Sequence, residues 1–138
     1  MTEPAQQRPA IAAAIVVEDG RVLMVRRRVT EGDLSWQFPA GEVESGETPA
    51  EAAVRETAEE TGVNVRPIKH LGERVHPATG RSMVYVACEP VSGTAHVADT
   101  DDLVEVEWCD RATLTRYVPF PFYGPVQDYF DQILPRPA

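Results

Sequence analysis

Four residues able to do chemistry crowd into one short stretch of this chain: Arg55, Glu56, Glu59 and Glu60. On an α-helix, positions i, i+3 and i+4 are neighbours, so the three carboxylates fall within an arc of about 100°. Ala50, Val54, Thr57, Ala58 and Thr61 lie roughly opposite and read as the packing face. Like charges at these spacings cost roughly 0.2–0.5 kcal/mol per pair. Their position in the last turns also opposes the helix macrodipole, by roughly 0.3–1 kcal/mol per charge. Arg55 relieves part of this through Glu51 and Glu59, each four residues away. A divalent cation would neutralise the rest, and carboxylate oxygens select hard ions such as Mg²⁺ or Mn²⁺. An ordinary solvated glutamate face is the alternative reading, because exposed charge pairs are energetically small.

The flanking residues separate these readings. From Gly41 the chain runs through Glu47, Arg55-Glu56, Glu59-Glu60 and Gly62. A glycine, five residues, a glutamate, seven residues, Arg-Glu and then Glu-Glu-x-Gly resembles the signature of the MutT-like Nudix hydrolases. Phe38-Pro39-Ala40-Gly41 is similar to the strand end that precedes that signature. Thr57 departs from it, standing where the family usually has a larger aliphatic residue. The resemblance implies an α/β fold, an α/β/α sandwich with a mixed sheet packed between helices. It also implies hydrolysis of a nucleoside diphosphate linked to another moiety.

The same resemblance implies that Glu56, Glu59 and Glu60 ligate Mg²⁺ (or Mn²⁺), with the Gly41 carbonyl adding an oxygen. Arg55 would orient the glutamates, and Glu47 would steady the loop before the helix. The general base is either Glu59 or a carboxylate shortly before the strand that ends at Trp108. By distance Asp102 fits best there, with Asp101 and Glu105 as alternatives and an acidic turn opening a strand as the plainer reading. The expected reaction is pyrophosphohydrolysis of a (deoxy)nucleoside triphosphate to a monophosphate and pyrophosphate. ADP-ribose or a nucleotide sugar is the alternative substrate, and nucleotide sensing without turnover is the alternative function. Many members are dimers, which leaves a homodimer open.

Candidate substrate contacts lie outside the signature. Arg26, Arg27 and Arg28 end a strand near the signature loop, and strand alternation sends Arg26 and Arg28 to one face and Arg27 to the other. Guanidinium groups pair bidentately with phosphate oxygens, so Arg26 and Arg28 are phosphate contacts or a solvated strand end. Arg74 and Arg81 flank the loop around Pro77 and invite the same two readings. Pro77 follows the signature at a distance similar to the proline that marks ADP-ribose-hydrolysing relatives. Trp36, Phe120, Phe122 and Tyr123 are either a stacking slot for a base or simple packing beside prolines. His70, His76 and His96 have no metal-ligand spacing.

These residues need a frame to hold them. Ile11 to Val17 is apolar and β-branched towards its end, Asp19-Gly20 is a hairpin turn, and Val22 to Val25 returns as a second strand. Arg28 to Gly46 is turn-rich. Thr48 can cap a helix, Pro49 suits its first position, Glu51 completes a capping box and Gly62 stops it, which predicts a helix over Pro49–Thr61. Strands follow at Ile68–Val75, Met83–Glu89 and Val104–Cys109, the last partnered by Thr94–Val97. A short helix over Arg111–Tyr117 and a C-terminal helix around Pro125–Leu134 complete the series.

With 138 residues, the chain suits one domain over 10–134, with a flexible N-terminal tail at 1–9 and a C-terminal tail at 135–138. The longest apolar run, Ala10 to Val17, is too short to span a bilayer, so neither a transmembrane helix nor a signal peptide is expected. Twenty-two acidic against 13 basic residues give a net charge of −9, which argues against duplex nucleic acid as a partner. Cys88 and Cys109 read as small buried hydrophobes and not as a disulfide or zinc set, and the cytoplasm is the expected compartment.

Overall fold

The computed structural model describes residues 8–31 and 34–135. Most of the two expected tails, 1–7 and 136–138, lies outside the described residues.

Seven strands form one mixed sheet. In chain order they are β1 (Ile11–Glu18), β2 (Arg21–Glu31), β3 (Leu34–Gln37), β4 (Ala40–Glu42), β5 (Asn64–Val75), β6 (Ser82–Ser92) and β7 (Leu103–Cys109). The helices are α1 (Pro49–Thr61), α2 (Arg111–Tyr117) and α3 (Gly124–Ile133). β1 is the hub. It forms the predicted hairpin with β2 through Asp19-Gly20, pairs with β4 antiparallel and runs parallel to β6. β5 lies beyond β6, while β3 and β7 flank β2.

Why β1 reads as a continuous apolar run is explained by its two faces. Ala12, Ala14 and Val16 pack with Leu23, Ala53 and Val63 on the α1 side. Ala13 and Ile15 pack with Met24, Val126 and Phe130 on the α3 side. A strand covered by helices on both faces needs apolar residues at every position. This is the expected α/β/α sandwich.

Local rules hold at α1. Thr48 accepts from the Glu51 N–H while the Glu51 carboxylate accepts from the Thr48 N–H, closing the capping box. Gly62 ends the helix in the left-handed conformation.

Four expectations need correction. The turn-rich stretch 28–46 contains β3 and β4, each too short to show periodicity. β7 pairs with β2, whereas Thr94–Val97 is not a strand. That segment instead lies over the end of α1, where the His96 and Ala98 N–H groups donate to the Thr61 and Glu60 carbonyls. Third, the buried face of α1 is Ala52, Ala53, Thr57, Glu60 and Thr61, while Ala50, Val54 and Ala58 are only half-buried. Glu60 therefore does not share an outward face with Glu56 and Glu59. Fourth, Arg55 does not pair with Glu51, whose carboxylate is spent on the cap. The unusual Thr57 is fully buried and donates its hydroxyl to the Ala53 carbonyl, 2.7 Å away, which accommodates a polar group on a packing face.

Candidate active site

Arg55 is the centre of the acidic cluster. Its Nε and Nη2 donate to the two Glu47 oxygens at 2.8 and 2.9 Å, and Nη1 donates to Glu56 at 2.7 Å and to Glu59 at 3.3 Å. Nη2 also reaches the Glu42 carbonyl, which ties the helix to β4. The fork on Glu47, reinforced by the Glu44 N–H, holds that carboxyl at about 2, below an ordinary 4.5. Glu47 in turn raises the Arg55 pKa further, so this pair stays ionised.

The three helix glutamates occupy different environments. Glu59 is open, with 58% of its side chain exposed, whereas Glu56 retains 16% and Glu60 5%. Burial raises the Glu56 carboxyl, and Arg55 opposes the rise. Burial also raises Glu60, opposed chiefly by Arg27. Arg27 donates to Glu60 Oε2 at 2.9 Å, and the Ala40 N–H donates to Glu60 Oε1 at 3.1 Å. Arg27 also contacts the Ala40 carbonyl and the Gln37 side chain. Glu60 thus binds α1 to both β2 and the entry of β4.

Among the described residues, no three acidic, histidine or cysteine side chains stand close enough to hold an ion as placed. The donor set nevertheless fits a hard divalent cation. Glu56 and Glu59 already converge on one cationic nitrogen, Arg55 Nη1. The Glu56 carboxyl rests directly on Gly41, and a Cβ there would overlap its Cδ and both oxygens. That contact brings the Gly41 backbone and a half-buried carboxylate together as hard oxygen donors.

Beside this cluster opens a cleft of about 1170 Å³. Gly41 and Arg27 belong to both the cluster and the cleft wall, so the two are one continuous site. The cleft collects residues far apart in sequence, including Arg28, Trp36, Arg81, Asp102 and Phe122. Phe120 and Tyr123 line it too, as do Pro77 and Asp101. Trp36 stacks on Tyr117 at 4.2 Å, so one of its ring faces is already covered, and Phe122 packs between Phe38 and Phe130.

Two expected contacts are placed otherwise. Arg26 does not line the cleft, because its Nη1 pairs with Glu105 on β7 at 2.9 Å. Glu105, so paired, does not line the cleft, whereas Asp101 and Asp102 do. Arg81 lines the cleft, but its Nη2 is held by Glu42 and the Pro9 carbonyl. Alternation along β2 already set Arg27 apart from its neighbours. What one sequence does not carry is which helix residue faces it, so the Arg27–Glu60 pair is visible only in the folded protein.

A mixed α/β/α sandwich with a carboxylate-bearing helix beside a cleft lined by arginine, aspartate and aromatic side chains defines a hydrolase-like class of site. The chain belongs to the NUDIX domain family, whose family model matches residues 6–128. Members of that family hydrolyse phosphorus-containing anhydrides and generally use divalent metals such as Mg²⁺. The chain is 37% identical over 108 residues to an octanoyltransferase of Myxococcus xanthus, a match covering 74% of this chain and 30% of that protein. It is 45% identical over 65 residues to an RNA pyrophosphohydrolase of Halorhodospira halophila, covering 47% of this chain and 34% of that one. The matched part is about a third of the length of each of these relatives. A crystal structure of a NUDIX hydrolase from Nitrosomonas europaea superposes with a TM-score of 0.75 at 19% identity, over 91% of this chain and 72% of that one. This last likeness concerns the fold. No helix among the described residues is long and apolar enough to cross a membrane.

Proposed function

We propose that this chain is a divalent-metal-dependent hydrolase of nucleotide anhydrides. The observation that carries the reading is the sharing of Gly41 and Arg27 between the glutamate cluster and the cleft. A phosphoanhydride bound in the cleft would meet the acidic cluster at that shared wall. Glu56 and Glu59, with the Gly41 carbonyl, would hold the cation, and Glu60 would join them as a third carboxylate on exchanging its contacts with Arg27 and the Ala40 N–H for the ion. Bound there, the metal supplies charge neutralisation at the phosphoryl oxygens and acidifies a water.

The chain's own groups do the rest. Arg55 is a positioning residue that sets the Glu56 and Glu59 carboxylates, and Glu47 fixes Arg55. Arg28, whose Nη2 is held only by the Thr100 carbonyl among the described residues, offers its remaining donors to phosphate oxygens. Asp102 on the cleft wall, or Glu59 in the cluster, takes the proton of the attacking water. The substrate we assign is a (deoxy)nucleoside triphosphate, cleaved to a monophosphate and pyrophosphate. The relative named as an RNA pyrophosphohydrolase supports release of pyrophosphate. ADP-ribose or a nucleotide sugar is the second reading, favoured by the Pro77 loop on the cleft wall.

The test is a panel of dGTP, 8-oxo-dGTP, CTP and ADP-ribose, compared by kcat/KM with and without Mg²⁺. Monophosphate release only with metal, reduced at least a hundredfold by Glu59→Gln, is the expected result. Unaltered turnover by that variant refutes the metal-site assignment. Binding without turnover in Mg²⁺ would instead make the chain a nucleotide sensor.

A further inference from the structure

Four arginines line the cleft: Arg27, Arg28, Arg74 and Arg81. Two are neutralised by carboxylates, Arg27 by Glu60 and Arg81 by Glu42. Arg74 has no carboxylate partner among the described residues, although acidic residues outnumber basic ones 22 to 13 in this chain. It is held by aromatic rings instead. Its guanidinium carbon lies 5.1 Å from the Tyr123 ring centroid and 5.7 Å from that of Tyr85, and its Nε donates to the Tyr85 hydroxyl at 3.1 Å. The two tyrosines contact each other, with centroids 5.2 Å apart.

This seat is built. The Tyr123 ring lies against Gly72, where a Cβ would stand 2.7 Å from the tyrosine oxygen, and the Tyr123 hydroxyl donates to the Glu73 carbonyl at 2.8 Å. Aromatic faces fix a guanidinium plane without occupying its donors, so the Nη edge stays available for a ligand. Rings that cost no charge compensation leave Arg74 a net cation on the cleft wall.

Register places this cation relative to the acidic cluster. Glu42, Ile11, Met83 and Arg74 are consecutive Cα partners across β4, β1, β6 and β5. Three strand spacings put the Arg74 backbone roughly 14 Å from β4, and the guanidinium leans back over Tyr85, one strand nearer. A substrate whose anhydride sits at Gly41 would meet Arg74 at its other end.

We infer that Arg74, seated on Tyr85 and Tyr123, binds a second phosphate of the substrate, one carried away from the 5′ anhydride, as on the ribose 3′ oxygen. The inference rests on the nucleotide-anhydride reading above and goes beyond its triphosphate assignment, because a plain (deoxy)nucleoside triphosphate carries no phosphate outside its 5′ chain. It assigns Arg74 the role of a specificity-determining residue, and the ligand chemistry is either a free 3′-phosphate or an internal phosphodiester.

Titration calorimetry with non-reacting ligands tests this apart from turnover. The purified chain, in Mg²⁺, is titrated with the 5′-monophosphates of adenosine and guanosine, with their 3′,5′-bisphosphates and with the dinucleotide pApA. At least one bisphosphate should bind tenfold or more tightly than its monophosphate. Arg74→Gln should abolish that preference and leave monophosphate affinity within twofold, while Arg74→Lys, keeping the charge but losing the fork, should retain part of it. The pApA arm tells a diester from a free phosphate. Equal binding of both ligand types by the unaltered chain, or a preference that survives Arg74→Gln in a variant with unchanged Tm, overturns the role of Arg74. If none of the nucleotides binds, the nucleotide reading itself falls, and this inference with it.

Discussion

A carboxylate that stays ionised far below its ordinary range stabilises a fold only while it is charged, and Glu47 is such a group. Its folded pKa of about 2 lies below an ordinary 4.5, held there first by the Arg55 fork and then by the Glu44 N–H. The stability it contributes is complete above pH 4.5 and is lost as the pH falls towards 2. Glu47→Gln should therefore lower the urea midpoint at pH 6, and the difference from the unaltered protein should shrink steadily below pH 4.5. A pH-independent difference would remove the charged fork as its cause. Arg27 makes the opposite kind of case, because its partner is buried. Arg27→Ala leaves the Glu60 carboxylate without its cation, and such a loss costs about 3 kcal/mol at neutral pH. Without Arg27 the Glu60 pKa rises further, so the penalty should be smaller at pH 5 than at pH 8, as read from denaturant unfolding. An equal penalty at both values would show that the damage is packing and not charge.

Elements were legible where local chemistry decides them. Thr48, Pro49, Glu51 and Gly62 delimit α1 to the residue, because capping and the left-handed stop act within one turn. Thr48→Ala should accordingly destabilise the protein by about 1 kcal/mol, measured by equilibrium unfolding, with no change in nucleotide binding; a loss under 0.3 kcal/mol would show the helix held by its packing alone. The wheel of α1 was less legible. Its three glutamates share an arc by geometry, yet one is drawn inward because Arg27 and the Ala40 N–H wait behind it. Periodicity reports which residues are adjacent on a helix but not what the sheet offers them. The short strands β3 and β4 failed for a related reason: three or four residues give no period, and their pairing with β2 and β1 is a tertiary fact. The partner of β7 was misplaced because nearness in sequence pointed to Thr94–Val97, whereas the sheet joins it to β2, some eighty residues earlier.

At the scale of the whole molecule, the cleft is the feature least available from sequence, since β1 gathers β4, β2 and β6 around itself and the cleft walls come from both ends of the chain. What the sequence did carry was the charge problem. A chain with a net charge of −9 concentrates three glutamates at a helix end that has no basic residue in its last turn. Arg27 and Arg55 compensate part of that charge, and Glu59 remains largely in solvent. A cation that binds the folded cluster and not the unfolded chain must stabilise the fold by mass action, by about 2.7 kcal/mol when its concentration is a hundred times its Kd. For a domain of this size each kcal/mol raises Tm by roughly 3–5 °C. Magnesium chloride should therefore raise Tm well beyond sodium chloride at matched ionic strength, which controls for screening of the overall charge. Glu56→Gln and Glu59→Gln should each remove most of the magnesium increment while leaving the sodium response intact. Equal shifts by the two salts would mean that the anionic surface is merely screened, and that these glutamates hold no ion.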